Sequence, residues 1–181
     1  MILKSIRLFL GSPEDIMQNQ INILSENINA LNEQIQSLKN QIILLSPTNL
    51  DFPKPLGSVN YAQVFGLLSN ISEEVHVSDS IFSTTSVSEA EKFVKETKVN
   101  MDKYIAEGHD CDNFSYALEG YWSKGLLSYP FGIAWTDSHA FNVFIDDQNK
   151  IWIVEPQSAR FYAIETAQKI PLYQNIKVVM M

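Results

Sequence analysis

Ser138-His139-Ala140-Phe141-Asn142-Val143-Phe144-Ile145 is followed by the polar run Asp146-Asp147-Gln148-Asn149-Lys150, and then by Ile151-Trp152-Ile153-Val154-Glu155-Pro156-Gln157. Two runs rich in β-branched and aromatic residues, separated by five turn-forming residues, spell an antiparallel hairpin. A hairpin brings its two open ends together, so His139 and Glu155 fall at the same end of the sheet. An imidazole beside a carboxylate is a pair able to hold or move a proton.

Working outward, Asp110-Cys111-Asp112-Asn113-Phe114-Ser115-Tyr116-Ala117-Leu118 reads as the start of a helix. Asp110 is a good N-cap, and Phe114, Ala117, Leu118 and Tyr121 recur at helical spacing. Cys111, the chain's one cysteine, then occupies the first turn, where unpaired N–H groups and the helix dipole favour a thiolate. With His139 as base and Glu155 as orienter, the three residues have the types and order of a cysteine hydrolase. Asn142 and Gln157 are polar side chains on strands near the same end, candidates to bind substrate or an oxyanion. Trp122, Trp135 and Trp152 are expected to build core.

Asp-Cys-Asp-Asn-Phe (110–114), Gly-Ile-Ala-Trp (132–135) followed by His-Ala-Phe-Asn (139–142), and Glu-Pro-Gln (155–157) together resemble the C-terminal cysteine-protease domain of the MOA-type mushroom agglutinins and the small MOA-related proteins of phage genomes. The resemblance covers about residues 100 to 165. It implies a papain-like fold with Cys111 as nucleophile, His139 as base and Glu155 as third member. It also implies calcium, with Asp112, Asn113 and Gln157 as candidate ligands, although nothing in the sequence itself requires a cofactor. Asn113 stands where the family usually has a second aspartate, which exchanges a charged oxygen ligand for a neutral one. No segment in residues 1–100 resembles the family's sugar-binding trefoil, so lectin activity is not expected.

The front of the chain is mechanical. Ile21, Leu24, Ile28, Leu31, Ile35, Leu38, Ile42 and Leu45 alternate at spacings of three and four, with Met17 one step before them. Ile at each a position and Leu at each d position predict a left-handed coiled coil, with a parallel dimer favoured and a trimer the alternative, because the flanking e and g positions carry almost no charge. Ser12-Pro13-Glu14-Asp15 marks the helix start and Ser46-Pro47 its stop. The intervening helix is roughly 50 Å long at ~1.5 Å per residue.

Between rod and hairpin, Pro47, Pro53, Pro55 and Gly57 mark a linker or irregular wrap. A helix is expected from about 59 to 69. A loop with a short strand follows over 78–88, and a second helix starts at the capping box Ser88-Glu89-Ala90-Glu91. His76 reads as a partly exposed strand histidine. Residues 1–10 read as a short apolar arm.

The 181 residues carry a net charge of −8, 45% hydrophobic and 19% charged residues. That composition folds, and its sign argues against nucleic acid and against anionic membranes. A single cysteine excludes a multi-cysteine zinc site, and three histidines leave little material for a histidine-rich metal centre. No run is long enough to span a membrane, and the N-terminus lacks a signal-peptide core. The location expected is the host cytoplasm or a virion.

The sequence therefore predicts an α+β chain. Residues 1–46 form an arm and a coiled-coil helix, 47–57 a Pro-rich linker, and 58–181 a papain-like or transglutaminase-like domain with an antiparallel sheet. The function expected is a cysteine-dependent, peptidase-like acyl hydrolase acting on peptide or protein and displayed on an oligomerising rod. The alternative is a non-catalytic structural or assembly protein of a phage particle.

Overall fold

The structure is a computed structural model that describes residues 13–45 and 50–181. The expected arm at 1–10, the Ser12 cap, the Ser46-Pro47 stop and the side chains of Leu38, Ile42 and Leu45 lie outside the described residues. The chain divides into two compact units, the second beginning at Leu50.

The first unit contains α1, Pro13–Leu45, a helix of 33 residues with Glu14 and Asp15 in its first turn. Acidic side chains there complement the partial positive charge of the helix start. Met17, Ile21, Leu24, Ile28, Leu31 and Ile35 are all exposed along it.

The second unit is α+β. Its elements are β1 (Gly57–Asn60), α2 (Tyr61–Leu68), β2 (Ser72–His76), β3 (Ile81–Thr84), α3 (Val87–Thr97), α4 (Cys111–Trp122), β4 (Phe131–Trp135), β5 (Ala140–Ile145), β6 (Ile151–Glu155), β7 (Arg160–Ala163), the single turn α5 (Ile164–Ala167) and β8 (Ile176–Met180). Six strands form one sheet in the order β2-β8-β4-β5-β6-β7, and β1 pairs with β3 in a separate ribbon. The expected hairpin is β5–β6, with Asn142 opposite Val154 and Phe144 opposite Trp152. The expectation of an antiparallel sheet needs one correction: β2 runs parallel to β8, so the sheet is mixed.

The sheet is covered on both faces, and alternate residues of β5 serve the two sides. Phe141, Val143 and Ile145 pack with Val64, Leu68 and Val179. Phe144 packs with Phe93, Phe114, Leu118 and Trp122 on the other face. Gly132 marks a close approach of β4 to β8, because a Cβ there would stand 2.0 Å from the Met180 carbonyl oxygen. Trp122 touches the rings of Phe93, Tyr129, Phe131 and Phe144.

Local chemistry fixes the boundaries. Asn60 and Gln63 cap α2 reciprocally, so the chain is extended through Asn60 and helical only from Tyr61. The cap of α3 is Ser86, whose Oγ accepts from the Glu89 N–H at 3.3 Å, and the helix begins two residues before the capping box read from the sequence. In the hairpin turn, Asp146 accepts from the N–H groups of Gln148 and Lys150, each at 2.9 Å, and from the Trp152 indole at 2.9 Å. Residues 50–56 run along this unit as an irregular wrap: the Lys54 carbonyl accepts from Thr85 Oγ1 at 3.0 Å, the Pro53 carbonyl accepts from the Tyr129 hydroxyl, and Phe52 packs on Phe93.

No helix among the described residues is long and apolar enough to cross a membrane.

Candidate functional site

His139 sits in the turn leading into β5, and Glu155 ends β6. Thr136 holds the turn, its N–H donating to the His139 carbonyl at 2.9 Å and its Oγ1 accepting from the His139 N–H at 3.1 Å. The antiparallel register then brings the two side chains together, with His139 Nε2 at 2.8 Å from Glu155 Oε2. The Tyr173 hydroxyl donates to the same oxygen at 3.0 Å, and the Gln157 N–H donates to Oε1 at 3.3 Å. Glu155 is 8% exposed, so a buried carboxylate is met by three hydrogen-bonding groups, as burial requires. Burial, then the Glu155 charge and hydrogen bond, push the Tyr173 hydroxyl well above its ordinary value. Tyr173 is the member of this cluster that the sequence did not reveal. It lies in a short 3-10 turn, Pro171–Tyr173, with no motif around it.

Cys111 is the first residue of α4 and is half-buried. Its carbonyl accepts from Ser115 Oγ at 2.9 Å, but no hydrogen bond joins its thiol to His139 among the described residues. Asp110, the cap residue, has its carboxyl raised by the neighbouring Asp112 side chain.

The remaining sequence candidates have structural partners. Asn142 is fully buried, and its amide donates to the carbonyls of Ser115 at 3.0 Å and Gly132 at 3.1 Å, joining α4 to β4. Asp112 Oδ1 accepts from the Asn113 N–H at 2.8 Å, and Asn113 Oδ1 accepts from the Asp110 N–H at 3.2 Å. Those oxygens serve the helix start, and no group of three or more His, Cys, Asp or Glu side chains among the described residues could hold a metal ion. Trp122 is core, as expected, whereas Trp135 is half-buried.

Trp135 opens onto the feature the sequence reading missed. It lines a cavity of about 310 Å³ with His76, Ser78, Tyr116, Glu119 and Met180. The Tyr116 and Trp135 rings lie 6.1 Å apart with their planes at 57°. Tyr116 is 52% exposed, and it stands one helical turn from Glu119, so an aromatic and a carboxylate share one face of α4. That spacing was the only sequence signal available.

No family model matches the chain, and no curated protein matches it. Among the solved structures similar in fold are two. One is a complex of PSL1a with E64, at 16% identity and a TM-score of 0.56, covering 68% of this chain and 51% of that one. The other is the Polyporus squamosus lectin bound to the human-type influenza-binding epitope Neu5Aca2-6Galb1-4GlcNAc, at 18% identity and a TM-score of 0.55, covering 68% of this chain and 49% of that one. This chain thus spans about half the length of each.

These neighbours correct the expectations drawn from the sequence. The structures sharing this fold belong to a sugar-binding lectin, where a papain-like cysteine-protease domain was expected. The cysteine hydrolase reading and its peptide substrate do not stand, and the alternative of a phage assembly protein gains no support either. In the site, the order Cys, His, Glu along the chain placed two of the three in contact, His139 with Glu155, and no hydrogen bond joins the Cys111 thiol to the ring among the described residues.

Proposed function

We propose that the second unit binds carbohydrate in the cleft between α4 and the ends of strands β2, β8 and β4. The observation that carries this reading is the pairing of Tyr116 with Trp135 beside Glu119, His76 and Ser78. A sugar ring offers C–H faces that pack on aromatic rings and hydroxyl groups that donate to carboxylates. A concave site with aromatic walls and a few polar groups meets both demands. The fold likeness to the Polyporus squamosus lectin supports the same ligand class.

The ligand is a neutral saccharide. The cavity is lined by Glu119 and by no Lys or Arg, and the chain carries a net charge of −8. A sialylated glycan would bring a further carboxylate to a site whose one imidazole, His76, already meets Glu74 at 2.7 Å.

The rod supplies the partner. We propose that α1 pairs with a second copy through Met17, Ile21, Leu24, Ile28, Leu31 and Ile35, which stand 47–60% exposed. A seam of Ile at a and Leu at d favours a parallel dimer, with a trimer as the alternative. A fully buried side chain of this kind removes ~60–120 Å² from water, so these six from each of two helices approach the ~1,200 Å² of a stable interface.

Titration of the full chain with Galβ1-4GlcNAc, followed by calorimetry and by NMR of the tryptophan indoles, tests the carbohydrate reading. Binding is expected, with the sialylated trisaccharide weaker and with Tyr116→Ala weaker by about tenfold, the loss of one aromatic contact of about 1.4 kcal/mol. No binding of either sugar by the folded protein would overturn it.

A further inference from the structure

We infer that the cleft continues into a second saccharide subsite, so that the ligand is an oligosaccharide of at least two units. This rests on the carbohydrate reading and extends it. A second cavity of about 330 Å³ adjoins the first, and Ser78, Glu119 and Met181 line both. Glu119 therefore stands at the junction, where its two carboxylate oxygens can accept from hydroxyls of consecutive sugar units.

The second cavity has its own chemistry. Asp79 faces it, with one carboxylate oxygen held by the Ser128 hydroxyl, which leaves further lone pairs for a ligand. Ser123 adds a hydroxyl, and Leu126 stands fully exposed at the rim, an apolar surface for the C–H face of a sugar. Trp122 forms part of the wall. It is 4% exposed, and its indole N–H is buried without a hydrogen-bond partner. A donor left unpaired in this wall carries a desolvation cost. Carboxylates, hydroxyls and an indole donor, with no Lys or Arg among the lining residues, select a neutral polyhydroxylated group over an anion.

The experiment compares galactose and GlcNAc with Galβ1-4GlcNAc on the full chain, reading the indole resonances by ¹⁵N–¹H NMR with Trp135→Phe used to assign its signal. The disaccharide is expected to shift the Trp122 and Trp135 indoles, and the monosaccharides only that of Trp135. The disaccharide is also expected to bind about tenfold more tightly than either monosaccharide. Ser123→Phe, which fills the second cavity, should bring disaccharide affinity down to the monosaccharide value. Equal affinities, with the Trp122 indole unmoved while Trp135 shifts, would overturn the second subsite and leave the first standing. A Trp135 indole untouched by every sugar would overturn the carbohydrate reading, and this inference with it. The wild-type spectra decide the question even if Ser123→Phe fails to fold.

Discussion

His139 and Glu155, sixteen residues apart in sequence, meet at 2.8 Å at one end of the sheet, and Tyr173 closes on the same carboxylate oxygen. A hydrogen-bonded trio this deeply buried is costly to break from its centre. Glu155→Ala strands the donors of Tyr173 and Gln157 and the ring of His139, and is expected to destabilise the second unit by about 2–4 kcal/mol. Tyr173→Phe removes one donor and should cost about 1 kcal/mol. Urea denaturation ranks the two variants, and equal midpoints would contradict the network.

The same tyrosine sets a limit at alkaline pH. Burial first, and then Glu155, raise Tyr173 above its ordinary value of 10.0, and burial raises Tyr129 as well. The unfolded chain releases these protons near pH 10 while the folded chain retains them. Stability is therefore full below pH 10 and falls as pH rises above it, by up to about 1.4 kcal/mol per pH unit for each tyrosine still protonated. Urea midpoints at pH 9 and pH 11 measure the drop, and Tyr173→Phe should make it shallower.

Gly132 permits the approach of β4 to β8. A methyl group there would meet backbone at 2.0 Å, and backbone cannot rotate aside. Gly132→Ala is expected to cost about 2–4 kcal/mol through local separation of the strands. Amide exchange should quicken in β8 before it quickens in β6. Unchanged exchange in Ile176–Met180 would show that the strands do not approach this closely.

Asn142 is a test of placement. Asn142→Leu keeps the volume but leaves the Ser115 and Gly132 carbonyls without their donor, for a loss of about 2–4 kcal/mol. A neutral outcome would place the amide outside the interface between α4 and β4.

For the rod, two isoleucines of similar exposure make a matched pair. Ile28 is 57% exposed and lies on the heptad seam, whereas Ile23 is 50% exposed and lies off it. Ile28→Lys is expected to shift the full chain towards monomer in light scattering, with Ile23→Lys leaving its mass unchanged. Equal effects would mean that the seam does not mediate association.

The hairpin was legible because its register is local: alternation and a five-residue turn fix which residues oppose which. The start of α4 at Cys111 was legible from its cap and its apolar spacing. The parallel pairing of β2 with β8 was not, because Ser72 lies opposite Ile176, and no local pattern announces a partner so far along the chain. The cap at Ser86 was not legible because Ser88 heads the capping-box pattern, and the choice between the two serines belongs to the packing of Phe93 and Val94 below. Buried Asn142 read as a site residue for a similar reason, since a polar side chain on a strand gives no sign of which carbonyls await it.

The sequence by itself determined the heptad rod pattern, the hairpin and the meeting of His139 with Glu155, each set by spacing along the chain. The tertiary structure alone decided that the thiol stays unbonded to the imidazole, that Tyr173 joins the carboxylate, and that Tyr116 and Trp135 face one cavity from a helix and a strand. Those outcomes depend on the distance between elements packed against opposite sides of a core. Such a distance follows from the volumes and angles of all the side chains between them, which no single stretch of sequence contains.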